Sequence, residues 1–429
     1  MKRFIVVLAV AISLISNHAA AFTPQKIVRT GPGEKIHGMD ISYWQHPYGQ
    51  AIDFKKMYAA GIRFVMIKGG DSHDTADAQA RKYLVSDRLA AQRVGLFTGF
   101  YYYAYLPDST EAAFIIADAT AQAQKAVWRL ATIGGYKFRD LPMALDLENN
   151  CVRVNSAGRC AKYMSREGVA LWAQTWLDAV TSKTSRKPMF YSYTNFLENA
   201  IAKSSALRQY PLWLARYSLD PANSQPNAKN VGCYAHSWTN GNCTAQWQIW
   251  QYTSCGIAGK YGVPGNRVDL NVFGGTANQF YTLARGSWEP QLSDQLPVNE
   301  PTTMSIASQA STTTIAPTTF VVDVVRPDSS PVVTGTVGFK SLDSLMPSGN
   351  QRAVRSASGR WSLSITGLVA GHYLGLIEFI DITGTHAQSS FPVEFDITQG
   401  VTPTPTPKPT PSPTKTNPPT DSCAGQIRN

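Results

Sequence analysis

The sequence predicts an α/β protein: a (β/α) barrel that is incomplete at its end, followed by a smaller all-β sandwich. Short apolar strand runs alternate with helical spacing from residue 37 to residue 273, and eight such strands argue for a parallel sheet closed into a barrel. The last two runs leave no room for a helix between them, so the barrel should be incomplete. Beyond residue 318 the runs are short, separated by Gly and Pro and without helical spacing, which is the pattern of a sandwich.

Taken in order, 37–42 (HGMDIS) is a short strand ending in an acid, and 53–60 is one or two helical turns closed by Gly61. The second strand is 63–68 (RFVMIK), followed by a helix over 75–94 and a third strand over 96–105. Ser109 suits the N-cap of a helix running towards Ile133, with Glu111 in its first turn. The fourth strand, 141–148, is apolar until it reaches Asp146 and Glu148. A helix over 163–181, a strand over 187–193, a helix over 196–206 and a strand over 212–217 continue the alternation. Strands over 245–252 and 268–273 complete it, and 278–285 is a short helical tail.

The two ends of the chain and its composition bound the compartment and the partners. Lys2 and Arg3 precede an apolar run over 4–15, and Ala19, Ala20 and Ala21 follow, so 1–21 reads as a signal peptide. The run is short of the roughly 20 apolar residues that span a bilayer. A secreted protein, extracellular or periplasmic, makes the six cysteines candidates for disulfides. Cys151 with Cys160 and Cys233 with Cys243 each flank a short polar loop, while the pairing of Cys255 and Cys423 stays open. No C-x-x-C pair suggests zinc or a redox centre. A net charge of +10 favours anionic partners, of which wall polymer fits export better than nucleic acid, since no nucleic-acid-binding motif accompanies the charge.

The candidate site is centred on Asp146 and Glu148, which lie two apart on a strand and so share a face. Paired carboxylates at a barrel strand's C-terminal end suit glycoside hydrolysis, in which one acid protonates the leaving oxygen. Asp40 and Asp269 stand at other strand ends, with Tyr101, Tyr103, Tyr191, Trp213, Trp250 and Gln251 as candidate sugar contacts. Tyr102, Trp176 and Trp247 read as core. Asp71, His73, Asp74 and Asp77 could suggest a metal. Their spacing fits no standard ligand pattern, and capping of the following helix by Asp74 or Thr75 explains them better. No metal and no cofactor is expected.

At this point the motifs become familiar. GMDISYWQ at 38–45, FVMIK at 64–68, GFYYY at 99–103, ALDLE at 144–148, LWLARY at 212–217, WQY at 250–252 and VDLNVF at 268–273 together resemble the family 25 glycoside hydrolases, the Chalaropsis-type lysozymes. The resemblance implies a flattened, incomplete TIM-like barrel and cleavage of the β-1,4 bond between N-acetylmuramic acid and N-acetylglucosamine in peptidoglycan. It implies Glu148 as general acid, Asp146 as its catalytic partner, and Asp40 and Asp269 as the rest of an acidic floor. The sequence departs from the family where Gly69, Gly70 and Asp71 follow Lys68. A monomer acting on peptidoglycan strands, with no nucleic-acid or membrane partner after signal cleavage, is the expectation. A non-catalytic wall-glycan-binding protein or adhesin is the alternative.

The expected domain plan is a signal peptide over 1–21, the barrel over 36–287, a linker over 288–317, an immunoglobulin-like sandwich over 318–399 and a Thr/Pro-rich disordered tail over 400–429. The Pro, Ser and Thr of the linker and the Thr-Pro repeat of the tail are low-complexity segments without a core. The sandwich resembles bacterial immunoglobulin-like modules in its TGTVGF and GRWSLSITGL segments. A spacer role is expected for it.

Overall fold

The computed structural model describes residues 27–155, 157–224, 236–239, 246–294, 300–310, 312–342, 351–356, 359–381, 385–400 and 423–428. The expected signal peptide, the Cys233 and Cys243 pair and the Thr-Pro repeat lie outside the described residues.

The first part comprises β1 (Ile36–Ile41), α1 (Phe54–Ala59), β2 (Phe64–Asp71), α2 (Asp74–Arg93), β3 (Phe97–Tyr103), α3 (Ala112–Thr132) and β4 (Ala144–Asp146). A hairpin of β5 (Cys151–Val154) and β6 (Cys160–Tyr163) follows, then α4 (Arg166–Thr184), β7 (Met189–Tyr193), α5 (Thr194–Asn199) and β8 (Leu212–Ala215). The part ends with β9 (Ile249–Ile257), β10 (Arg267–Phe273) and α6 (Ala277–Ala284). Asp53 caps α1, Ser165 caps α4, and Thr276 with Gln279 forms a capping box on α6. Ser109 binds the amide of Glu111 rather than capping α3, which starts two residues later than expected. The N-cap of α2 is His73, with no side-chain cap bond.

Eight strands close into a barrel in the order β1-β10-β9-β8-β7-β4-β3-β2. All neighbours are parallel except at β10, which runs antiparallel to both β9 and β1. Parallel pairs need crossovers, and helices supply most of them; an antiparallel pair needs none. That is why a single 3-10 turn, Ala258–Tyr261, suffices between β9 and β10. The expected incompleteness therefore belongs to the helical layer, while the sheet itself closes.

Alternation along the strands divides the apolar residues into two cores. Val65, Ile67, Tyr102, Leu145, Phe190, Leu214 and Trp250 face outward in a core shared with Trp172 and Trp176 of α4. Phe64, Met66, Phe97, Ala144, Met189, Ile249 and Phe273 face inward. Phe280 of α6 plugs the closed end, its ring 5.7 Å from Phe64 and 5.2 Å from each of Phe97 and Phe273. A Cβ at Gly38 would lie 2.0 Å from the Phe64 ring, so the motif glycine makes room for that packing.

The second part has a four-stranded sheet of β11 (Thr303–Ala310), β12 (Thr318–Val325), β15 (Arg360–Ile365) and β14 (Gln351–Arg355). It packs on a three-stranded sheet of β13 (Thr336–Ser341), β16 (Gly371–Ile380) and β17 (Ser389–Ile397) over a core of Phe320, Trp361, Tyr373 and Phe395. Strand β11 occupies part of the stretch expected as linker. Its Ser and Thr suggest a linker by composition, but Met304 and Ile306, two apart, put one face onto the core.

The chain then returns to the barrel. Cys423 is bonded to Cys255 of β9. Gln426 Oε1 accepts from the Ser254 amide at 2.9 Å, and Thr253 Oγ1 donates to Ile427 O at 2.6 Å. The expectation that the tail is disordered to its end and keeps Cys423 away from the body is thus wrong: low-complexity composition says nothing about a short anchor that follows it. The expected Cys151–Cys160 bridge is present and staples the β5–β6 hairpin.

Candidate active site

At the end of the barrel opposite Phe280, a cavity of about 190 Å³ is lined by Asp40, Tyr101, Asp146, Glu148, Tyr191, Trp213, Tyr217, Gln251 and Asp269. All four predicted acids therefore meet. Asp269 gets there by a route the sequence reading had reversed. It is near the start of β10, not its end, and opposes Asp40 in register because β10 runs backwards.

Asp40 is held by a network reaching across four strands. Gln251 Nε2 and Asn271 Nδ2 donate to Asp40 Oδ2 at 2.9 and 2.6 Å. Each amide oxygen is taken in turn: Tyr191 and Tyr217 donate to Gln251 Oε1 at 2.8 and 2.6 Å, and Trp213 Nε1 donates to Asn271 Oδ1 at 2.8 Å. With their oxygens engaged, both amides can only turn NH₂ groups to Asp40. Trp213 and Tyr191 are thus floor groups that orient this network.

Asp146 has no comparable support. Its Oδ1 is buried without a hydrogen-bond partner. Burial pushes its carboxyl well above the ordinary range, the Glu148 charge adds to that, and Lys68 opposes it. Burial, with the Asp40 charge behind it, raises Glu148 to about 7, while a side-chain hydrogen bond to Asp146 pulls the other way. Asp40 is raised to about 6 by burial, against the pull of its amide donors, and Asp269 is raised by burial and then by Asp40. Glu148, at about 7, thus keeps its proton at a pH where an isolated carboxyl has lost it, which is the property a general acid requires.

The remaining predicted residues divide. Tyr103 stands over Lys68, whose Nζ is 4.7 Å from its ring, at the edge of the site and outside the cavity lining. Trp250 is misplaced: it is fully buried on the outer face of β9, and its Nε1 donates to Arg216 O. Adjacent strand residues face opposite ways, so Gln251 and Trp250 could not both enter the barrel. Sequence reasoning missed Tyr217 and Asn271. The same period of two, counted from Trp213 and from Asp269, points to both.

The Asp71 and Asp77 carboxylates are engaged by cations and amides. Lys68 pairs with Asp71 at 2.6 Å, Arg129 with Asp77 at 2.8 Å, and Asp77 Oδ1 accepts the Asp71 amide. Among the described residues no cluster of His, Cys, Asp and Glu could hold a metal ion. None of the described helices is long and apolar enough to cross a membrane.

In comparison with known proteins, residues 39–260 match the family described as Glycosyl hydrolases family 25. A protein of Escherichia coli O6:H1, YegX, is 26% identical over 276 residues, which is 63% of this chain and 81% of that one. The N,O-diacetylmuramidase of Arthroderma benhamiae is 27% identical over 206 residues, 47% of this chain and 77% of that one. Among solved structures, the bacterial lysozyme of Streptomyces coelicolor aligns at 23% identity with a TM-score of 0.44, covering 58% of this chain and 97% of that one.

Proposed function

The chain belongs to glycosyl hydrolase family 25, and from that premise we propose that it is a secreted lysozyme. In this reading it cleaves the β-1,4 bond between N-acetylmuramic acid and N-acetylglucosamine in peptidoglycan, with Glu148 as general acid. The observation that carries the reading is the single cavity that brings Glu148 and Asp146 together with Asp40 and Asp269.

Asp146 and Glu148 are only two residues apart, at the end of one strand, and both line the same cavity. That supports a substrate-assisted course. Glu148 gives its proton to the glycosidic oxygen as the bond to the anomeric carbon breaks. The carbonyl oxygen of the 2-acetamido group closes on that carbon, and Asp146 orients the amide and offsets its developing positive charge. Glu148, now a carboxylate, takes a proton from the water that opens the ring and so regains its acid form, while Asp146 ends as it began. Asp40, fixed by its two amide donors, and Asp269 form the rest of the floor. The all-β part is an immunoglobulin-like spacer in this proposal, and the protein acts as a monomer.

The reading is tested by the products. Purified protein incubated with peptidoglycan should release fragments with new reducing ends at N-acetylmuramic acid. Ends at N-acetylglucosamine would make it a glucosaminidase instead, and an inverted anomeric product would exclude the substrate-assisted course.

A further inference from the structure

The segment 423–427 returns to one particular place on the barrel, the stretch of β9 that lies opposite Asp269. Ile249, Trp250 and Gln251 of β9 pair in regular register with Phe273, Val272 and Asn271 of β10. The register then slips twice, so that Thr253 meets Leu270 and Gly256 meets Val268. Ser254 and Cys255 together are left opposite Asp269 alone. Two residues against one make a β-bulge, which interrupts the ladder, bends its strand and, beside an active site, re-aims side chains.

A bulge leaves backbone groups that the ladder does not serve, and where they are buried they need partners from elsewhere. Thr253 and Cys255 are buried. The Ser254 amide donates to Gln426 Oε1 at 2.9 Å. The Cys255 amide donates to Thr253 Oγ1 at 3.0 Å, and that hydroxyl donates its own hydrogen to Ile427 O at 2.6 Å. Both amides of the bulge are therefore satisfied by way of the C-terminal segment. The Cys255–Cys423 bond fastens that segment to the bulge itself, and Ile427 packs against the outer core.

Contacts on either side of the bulge carry the segment to the cavity. Arg267, two residues before Asp269, donates from Nη1 to Cys423 Sγ at 3.6 Å. Burial above all, then Asp40 and Glu148, push the Asp269 carboxyl up, and the charge of Arg267 opposes them. Gly425 passes beside Ser218, the residue after Tyr217 of the cavity wall: a Cβ on Gly425 would lie 3.9 Å from Ser218 Oγ. Across β10, Asp269 stands in register with Asp40. A displacement of β10 at this point moves two of the four acids relative to one another.

We propose that the segment 423–427 is a clamp on the active site, and that Gln426 is a positioning residue acting through Asp269. The disulfide delivers the segment, Gln426 fixes the bulge, and the bulge keeps Asp269 facing the cavity and opposite Asp40. The proposal deepens the lysozyme reading and rests on it for its kinetics.

The test is a double-mutant cycle in the full chain, with peptidoglycan as substrate. Gln426→Ala keeps the disulfide but removes the acceptor of the bulge, and kcat should fall roughly threefold to tenfold, the weight of one hydrogen bond, with KM held within about twofold. Gln426→Glu, which keeps an oxygen at that place, should recover most of the loss. Cys255→Ala/Cys423→Ala, which releases the whole segment, should lose at least as much as Gln426→Ala. In an Asp269→Asn background Gln426→Ala should cost nothing further, because an effect transmitted through Asp269 does not add to its removal. Additive losses, or a Gln426→Ala loss that only follows the fraction unfolded, would overturn the clamp and leave the segment a staple of the fold. If wild type cleaves no peptidoglycan the lysozyme reading fails, and if Asp269→Asn cleaves none the cycle cannot be closed. In either case carboxyl NMR decides: the titration of Asp269 should shift between wild type and Gln426→Ala, and coincident curves would overturn the clamp.

Discussion

Asp140 and Asp146 sit six residues apart, Asp140 ahead of β4 and Asp146 at its end, and are provisioned in opposite ways. Asp140, at the closed end, receives Arg88 through two bonds of 2.9 and 2.6 Å, with Gln92 Nε2 and the Lys137 amide adding to them. Asp146, at the open end, is equally buried but keeps one oxygen without a partner and faces Glu148. A buried carboxylate given a cation serves the fold. One without an ion-pair partner and set against other acids has its pKa raised at the expense of stability, which is the usual mark of a functional site.

The largest effect expected from breaking this contrast is at the closed end. Arg88→Ala leaves Asp140 buried and uncompensated and should cost about 3–5 kcal/mol in denaturant unfolding. Turnover per folded molecule should stay within a few-fold. At the open end Glu148→Gln should lower turnover by at least ~100-fold, the lower range for general acid catalysis, with substrate binding retained. Activity within a few-fold of wild type would remove Glu148 from the acid role.

A smaller effect sharpens the contrast through pH. Asp40 at about 6 and Glu148 at about 7 bind protons in the folded state that the unfolded chain, titrating near about 4, has released. The native state then binds more protons, so stability falls as pH rises through this window. Unfolding of wild type should therefore be harder at pH about 5 than at pH about 7, and Glu148→Gln should flatten the difference. Activity should fall above pH about 7, as Glu148 loses the proton it must donate. A stability that rises across the same window would count against the protonated acids.

Much of the open end was legible because a strand has a period of two. Asp146 and Glu148 could be placed on one face, and motifs far apart in sequence could be assigned to one rim. The same period, applied throughout, would have rejected Trp250 and found Asn271 and Tyr217. What stayed hidden depends on contacts between distant segments. The reversed direction of β10, which brings Asp269 to Asp40, follows from its pairing with both β9 and β1. The return of Cys423 to Cys255 spans 168 residues, and no local pattern reports it. Strand β11 was concealed by its own Ser and Thr, since composition outweighed the alternation of Met304 and Ile306.

The most direct measurement pairs the two aspartates. Asp140→Asn and Asp146→Asn are the same change at the two ends, and thermal unfolding and turnover on peptidoglycan would be recorded for both at neutral pH. Asp146→Asn should unfold no lower than wild type while losing ~100-fold or more in turnover. Asp140→Asn should unfold several degrees lower, since Arg88 is left buried without its partner, with turnover per folded molecule kept within a few-fold. If Asp146→Asn unfolds as early as Asp140→Asn and loses activity only in proportion to the protein unfolded, Asp146 is a structural residue and the account of the open end is wrong.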